Sequence, residues 1–156
     1  MFEPAAFYSI MAPAIAGTVG LGGGFYETLL VDKAWPKMPA MIQPDRGGIN
    51  RKLFWGPVHG LFELGLLAAI WSTWSLPTVC FWVWCAFAAH LVVRIWSFAY
   101  FIPMAIRFEA GSVGDSDTTS RAARKWIRLS RLRLPLEFLA VALLFVALGQ
   151  YAAAGS

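Results

Sequence analysis

Charge is what this sequence has least of. Only 14% of its 156 residues are Asp, Glu, Lys or Arg, against 58% apolar residues, whereas about a quarter of a soluble domain is charged. Cysteine is nearly absent too. Cys80 and Cys85 lie five apart in an apolar segment, a spacing that fits neither a metal-binding CxxC nor a disulfide framework, so both are predicted to be free, buried thiols. The N-terminus, "MFEPAAFYSIMAPAIAG", lacks the positive stretch of a secretory signal, and its apolar run continues too far for cleavage. The first span is therefore expected to stay in the mature protein. The glycine-rich "APAIAGTVGLGGGFYE" has no preceding strand and no GKS/T ending, which excludes a phosphate loop. No basic face of a soluble domain is present, so the net charge of +4 is read as membrane topology, and nucleic acid is excluded as a partner.

What is abundant is long hydrophobic runs. At about 20 residues per span, the chain divides into four spans at roughly 5–31, 53–74, 78–103 and 134–152, forming one domain over 1–156. The fold class is all-α: an integral-membrane four-helix bundle in the lipid bilayer. Pro77 in "WSLPTV" marks a tight hairpin between the second and third spans. The first long loop, with Pro36, Pro39, Pro44 and a Gly-Gly pair, is predicted to be ordered but irregular. The second, 104–133, opens with the polar stretch "EAGSVGDSDTTS" and ends in "RAARKWIRLSRLR". There Ala122, Trp126, Leu129 and Leu132 recur at helical spacing, predicting an amphipathic interfacial helix before the last span. Lys33, Lys37, Arg46, Arg51 and Lys52 fall in the first loop, and seven more basic residues in the second. By the positive-inside rule both loops are expected to be cytoplasmic and both termini external, in a bacterial inner membrane. Trp71 and Trp74 would mark the outer interface, Trp35 and Trp126 the inner one. In the first span Ala16, Gly20 and Gly24, four apart, allow close approach of another helix.

Six ionisable residues fall inside the spans: Glu27, His59, Glu63, His90, Arg94 and Glu137. Spacing of four puts His59 with Glu63, and His90 with Arg94, on one helical face each. A rise of about 1.5 Å per residue places both stripes at overlapping depth in the cytoplasmic half. Ionisable groups at that depth cost a few kcal/mol unless paired or hydrated, and they mark functional sites. All six are expected to converge on one pocket, with Tyr26, Trp55 and Tyr100 helping to line it. An ion pair of Arg94 with Glu63 or Glu137 is the structural alternative, but three carboxylates against one arginine leave a surplus. That surplus could be met by a proton, a protonated histidine or a cation. His59, Glu63 and His90 are the candidate ligands if a transition metal such as iron is bound. Acid–base chemistry without a metal needs only a histidine poised by a carboxylate, and His59 with Glu63 supplies one. No cofactor is assigned.

The chain also resembles the four-helix membrane family of bacterial proteins of unknown function that is grouped with the anthrone oxygenases of polyketide pathways. The resemblance is carried by the Gly-rich first span followed by "WPKMP", by "INR" at 49–51, by "YFIPMAIR", and by "WIRLSRLR" leading into the last span. Ser130 stands where that family usually has Asn. The resemblance implies oxygen-dependent oxidation of an aromatic or polycyclic substrate without a conventional flavin or haem. It also makes Asn50, Arg51, Pro103, Trp126 and Arg133 pocket or loop residues. The expected function is thus a small oxidoreductase acting on a lipophilic molecule. His59 would be base or metal ligand, Glu63 its orienting partner, His90 a second ligand or acid, and Arg94 the group that holds an anionic oxygen. Glu27, Tyr26, Asn50, Arg51, Trp55, Tyr100 and Glu137 would contact the substrate. A homodimer would go with the enzyme; the alternative is a non-catalytic accessory subunit of a larger membrane complex, binding partner helices, pigment or quinone.

Overall fold

A computed structural model describes residues 4–114 and 116–154. All regular structure among them is helical. Helix α1 runs over Pro4–Ala34, α2 over Lys52–Ser72 and α3 over Pro77–Glu109. A fourth, α4, covers Ser116–Arg131, and after a break at Leu132, α5 covers Arg133–Ala153. Four stretches are long and apolar enough to cross a membrane: α1, α2, α3 and the run Asp117–Ala153 that holds α5.

The helices alternate in direction, so the two termini and the α2–α3 turn share one end, and the segments 35–51 and 110–132 share the other. Around the bundle the order is α2, α1, α5, α3. Helix α1 packs on both α2 and α5, and α3 packs on α5, while α2 and α3 touch sparsely although they form a hairpin. Pro77 sits at the first turn of α3, where its missing N–H leaves nothing unsatisfied. Thr73 closes α2 by donating its hydroxyl to the Ala69 carbonyl at 2.7 Å.

Two apolar clusters stack along the bundle. The terminal end is filled by small and branched residues, among them Ala6, Ala14, Leu66, Val83, Ala140 and Leu144. Glycine makes this possible on α1: a Cβ at Gly17 would lie 2.7 Å from Val141 on α5 and 3.0 Å from Phe62 on α2. Gly20 and Gly24 face Val58 and Leu134 in the same way, which fits close packing along this helix. At the loop end, Trp35, Ile42, Phe101, Phe108 and Trp126 form a second, aromatic cluster.

Several expectations are corrected. The third helix does not stop at residue 103 but runs to Glu109. Just before Pro103 the helix widens into a π-turn, Ser97–Phe101, in which the Ile102 N–H bonds back to the Ser97 carbonyl, and that shift of bonding absorbs the proline. Helix α4 packs one side against protein. Ala123, Trp126 and Ile127 are buried against the aromatic cluster, because the first loop supplies an apolar surface for them. Trp35 and Trp126 are accordingly 1% and 4% exposed rather than interfacial; Trp71 and Trp74, at the opposite end, are exposed. The first loop is irregular but ordered by short 3₁₀ turns at Pro39–Ile42 and Pro44–Arg46, and Gln43 donates to the Phe108 carbonyl at 3.2 Å. Cys80 and Cys85 are free, the first buried and the second partly exposed.

Candidate functional site

Between the two apolar clusters lies a cavity of about 450 Å³, within the size range of small-molecule sites. Glu27, His59, Glu63, Arg94 and Glu137 all line it. His90 stands one layer behind, 1% exposed, with its Nε2 3.6 Å from Glu63 Oε1 and Phe62 edge-on at 4.5 Å. The six ionisable residues of the four apolar helices thus occupy one region of the molecule.

Their partnerships differ from the simplest reading of the spacing. Glu63 does share a face with His59, but it reaches across to α3, where it forms an ion pair with Arg94 and meets His90. His59 turns the other way and stacks on Trp55, ring centroids 5.4 Å apart and planes 22° apart; the His90 ring lies 6.1 Å from it. Trp55 in turn donates its indole N–H to Glu27 at 3.1 Å. Arg94 also lies 4.5 Å over the Phe98 ring. The expected metal set is not assembled. Among the described residues no group of three or more His, Cys, Asp or Glu is placed to hold a metal ion, because Glu63 is drawn to Arg94 and His59 to Trp55.

The loop end brings further charges of both signs to the cavity. Five carboxylates line the cavity (Glu27, Asp32, Glu63, Glu109 and Glu137), and so do four cations, Arg51, Lys52, Arg94 and Arg133. Glu109 binds Lys52 at 2.9 Å and Arg51 at 3.5 Å, and the Arg51 guanidinium lies 5.6 Å from the centre of the Trp126 ring. Arg133 uses hydroxyls instead. It donates to Ser130 at 2.8 Å and Ser97 at 3.0 Å, with its guanidinium 4.1 Å over Phe101. Asp32 accepts from the Trp35 indole at 3.2 Å.

Spacing alone does not reveal Asp32, Lys52, Ser97, Glu109 or Ser130, and for Asp32 and Glu109 the π-turns are the reason. In α1 the turn Glu27–Val31 bonds the Asp32 N–H to the Glu27 carbonyl, and in α3 the Ile102 N–H bonds to Ser97 in the same five-residue step. Residues five apart therefore line up, so Asp32 follows Glu27 onto the cavity wall and Ile102 follows Ser97. Beyond Ile102, ordinary spacing carries Ala105, Ile106 and Glu109 onto the same wall. Such turns occur often at functional sites, and a Pro a few residues on, as at Pro103, is the one signal the sequence offered.

Three expected lining residues lie elsewhere. Tyr26 is 58% exposed and, with Asn50, lines a shallower hollow between α1 and α2, on the far side of Trp55 and Glu27. Asn50 accepts a hydrogen bond from the Lys52 N–H at 3.2 Å, anchoring the start of α2. Tyr100 packs on the aromatic cluster, because the π-turn rotates it off the cavity face. Arg51 and Trp55 do line the cavity, as do Trp126 and Arg133.

No protein-family model, no curated protein and no solved structure matches this chain.

Proposed function

We propose that the chain is an integral-membrane oxidoreductase, oxygenase-like, acting on a lipophilic molecule with a phenolic or enolic oxygen. In this reading both termini are external, both long loops are cytoplasmic, and the membrane is a bacterial inner membrane. The observation that carries it is the position of His59: on the wall of a ligand-sized cavity, stacked on Trp55, without a carboxylate partner among the ion pairs, and beside the guanidinium-bearing Arg94. A neutral imidazole placed so can accept the acidic proton of a bound phenol or enol. Arg94 and Arg133 would stabilise the resulting oxyanion, since charge-assisted donors in a site of low polarity are effective there. Glu63 then fixes Arg94 rather than His59.

The carbanion form of such a substrate is electron-rich enough to react with molecular oxygen. At an activated methylene the carbon loses two hydrogens and gains one oxygen atom as a carbonyl, and the other oxygen atom leaves as water. The substrate supplies the electrons, so the balance needs no further reductant. The test uses the purified protein in lipid vesicles with anthrone and an oxygen electrode. Oxygen uptake is expected to fall about 10²- to 10⁴-fold in His59→Ala, as for loss of a general base, with folding checked by circular dichroism. Equal uptake by a folded His59→Ala variant would refute the role of His59, and no uptake above the uncatalysed rate by the wild type would refute the reaction.

A further inference from the structure

The cavity wall is unevenly covered. Lining residues on α1, α4 and α5 are buried or half-buried, whereas the exposed ones, Lys52, Gly56, Ile102 and Ile106, all belong to α2 and α3. These are also the neighbouring helices that touch least. The opening is therefore a slot between α2 and α3. Its surroundings are apolar: Leu53, Leu61 and Leu64 on α2, and Ile95 and Phe98 on α3, are each more than 60% exposed. A slot bordered by such residues faces lipid more favourably than water.

Two further features shape it. A Cβ added at Gly56 or Gly60 would meet nothing within 4 Å, so the absence of side chains there sets the width of the slot rather than serving helix packing. At the loop end, Glu109 of α3 reaches Lys52 at the start of α2 and Arg51 just before it. These ion pairs tie the two helices together at the end nearest the polar loops.

We infer that the cavity is loaded sideways from one leaflet by an amphiphile with one acidic oxygen, which turns its polar end to Arg94 and Arg133 and leaves its tail in the slot, while the Glu109 bridges shut the end that faces water. This rests on the reading above that the cavity holds a lipophilic acid within a membrane. Glycines at the slot, isoleucines opposite them and guanidinium groups at the inner end suit such a molecule. A water-borne acid with the same polar group would have to pass the bridges instead.

The experiment compares two photoreactive carboxylic acids on the protein in phosphatidylcholine vesicles: a long-chain fatty acid carrying a diazirine, and a short, water-soluble acid with the same group. Labelled peptides are mapped by mass spectrometry. The long acid is expected to label the cavity at Ile102 and Leu134, and the short one to leave it unlabelled. Gly56→Leu and Gly60→Leu, both sterically open, should lose cavity labelling yet keep labelling at lipid-facing Leu64 and Phe81. Glu109→Gln should admit the short acid. Cavity labelling by the short acid in wild type, or unchanged labelling by the long acid in both glycine variants, would overturn lateral loading while leaving the proposed function standing. A Glu109→Gln variant that still excludes the short acid would refute the seal. Failure of both acids to label the wild-type cavity would refute an acidic amphiphile as its occupant, and the oxygen-uptake assay decides the proposed function separately.

Discussion

The two ends of this bundle are built on opposite rules. At the terminal end, Ala14, Gly17, Leu66, Val83, Ala140 and Leu144 bring the helices close, and the interior is apolar. At the loop end the same helices run past large rings and charges, Trp35, Trp55, Phe101 and Trp126 among them, and a cavity opens between them. Small residues remove space and aromatic ones span it. The lesson is that one set of helices can hold rigid at one end and leave room at the other, provided residue size changes along each helix.

The comparison can be broken most severely at its aromatic floor. Trp35 is 1% exposed, lies 5.0 Å from the Phe108 ring and meets Trp126 edge-on at 6.2 Å. Trp35→Ala should cost about 3–5 kcal/mol, read as a lower unfolding temperature in mild detergent. Hydrogen exchange should rise first in 35–51 and α4, with the α1–α2–α5 contacts near Gly17 still protected. Uniform exchange over the whole chain would show that the ends are not separate.

A smaller effect, of the same sign, tests the tight end. Gly17→Ala places a methyl 2.7 Å from Val141 and 3.0 Å from Phe62, and overpacking of this kind costs about 1–3 kcal/mol. The smallest effect carries the opposite sign. Gly60→Ala, at the open end, meets nothing within 4 Å and replaces a flexible residue in mid-helix, so stability should rise by about 0.5–1 kcal/mol. Thermal unfolding of the two alanine variants side by side checks both. If they shifted alike, the contrast in packing between the ends would be wrong.

Much of this is legible in the sequence. Four apolar stretches, a hairpin at Pro77 and an irregular first loop follow from hydropathy and turn residues, and spacing of four gives the two polar stripes; that Glu27, His59, Glu63, Arg94 and Glu137 meet is decided by how the helices are rotated against one another. What was not legible depends on partners distant in sequence. The spacing puts His59 and Glu63 on one face and allows Arg94 to pair with Glu63 or with Glu137, yet it does not choose between them; the structure pairs Arg94 with Glu63. As topology signals the basic residues of the loops say nothing of the cavity; Arg51 and Arg133 enter it only through the family resemblance, and Lys52, exposed at its rim, not at all. Trp126 has helical spacing that suits a membrane surface and a protein surface equally. Only the apolar floor formed by Trp35 and Ile42 decides between them.

The π-turns at Glu27–Val31 and Ser97–Phe101 carry a consequence for how such a site can arise. Each adds one residue to a turn, and one residue is about 100° of helical rotation. A helix with one wide turn is two helices in different phase, joined without a loop. Removing a single residue from either turn would restore one phase throughout, swinging Asp32, or Ile102, Ile106 and Glu109, off the cavity wall with no change in which residues follow. The presence of Asp32, Ile102, Ile106 and Glu109 on the chamber wall thus rests on one extra residue in each of two helices, and the length of those helices, as well as the identity of their side chains, shapes the site.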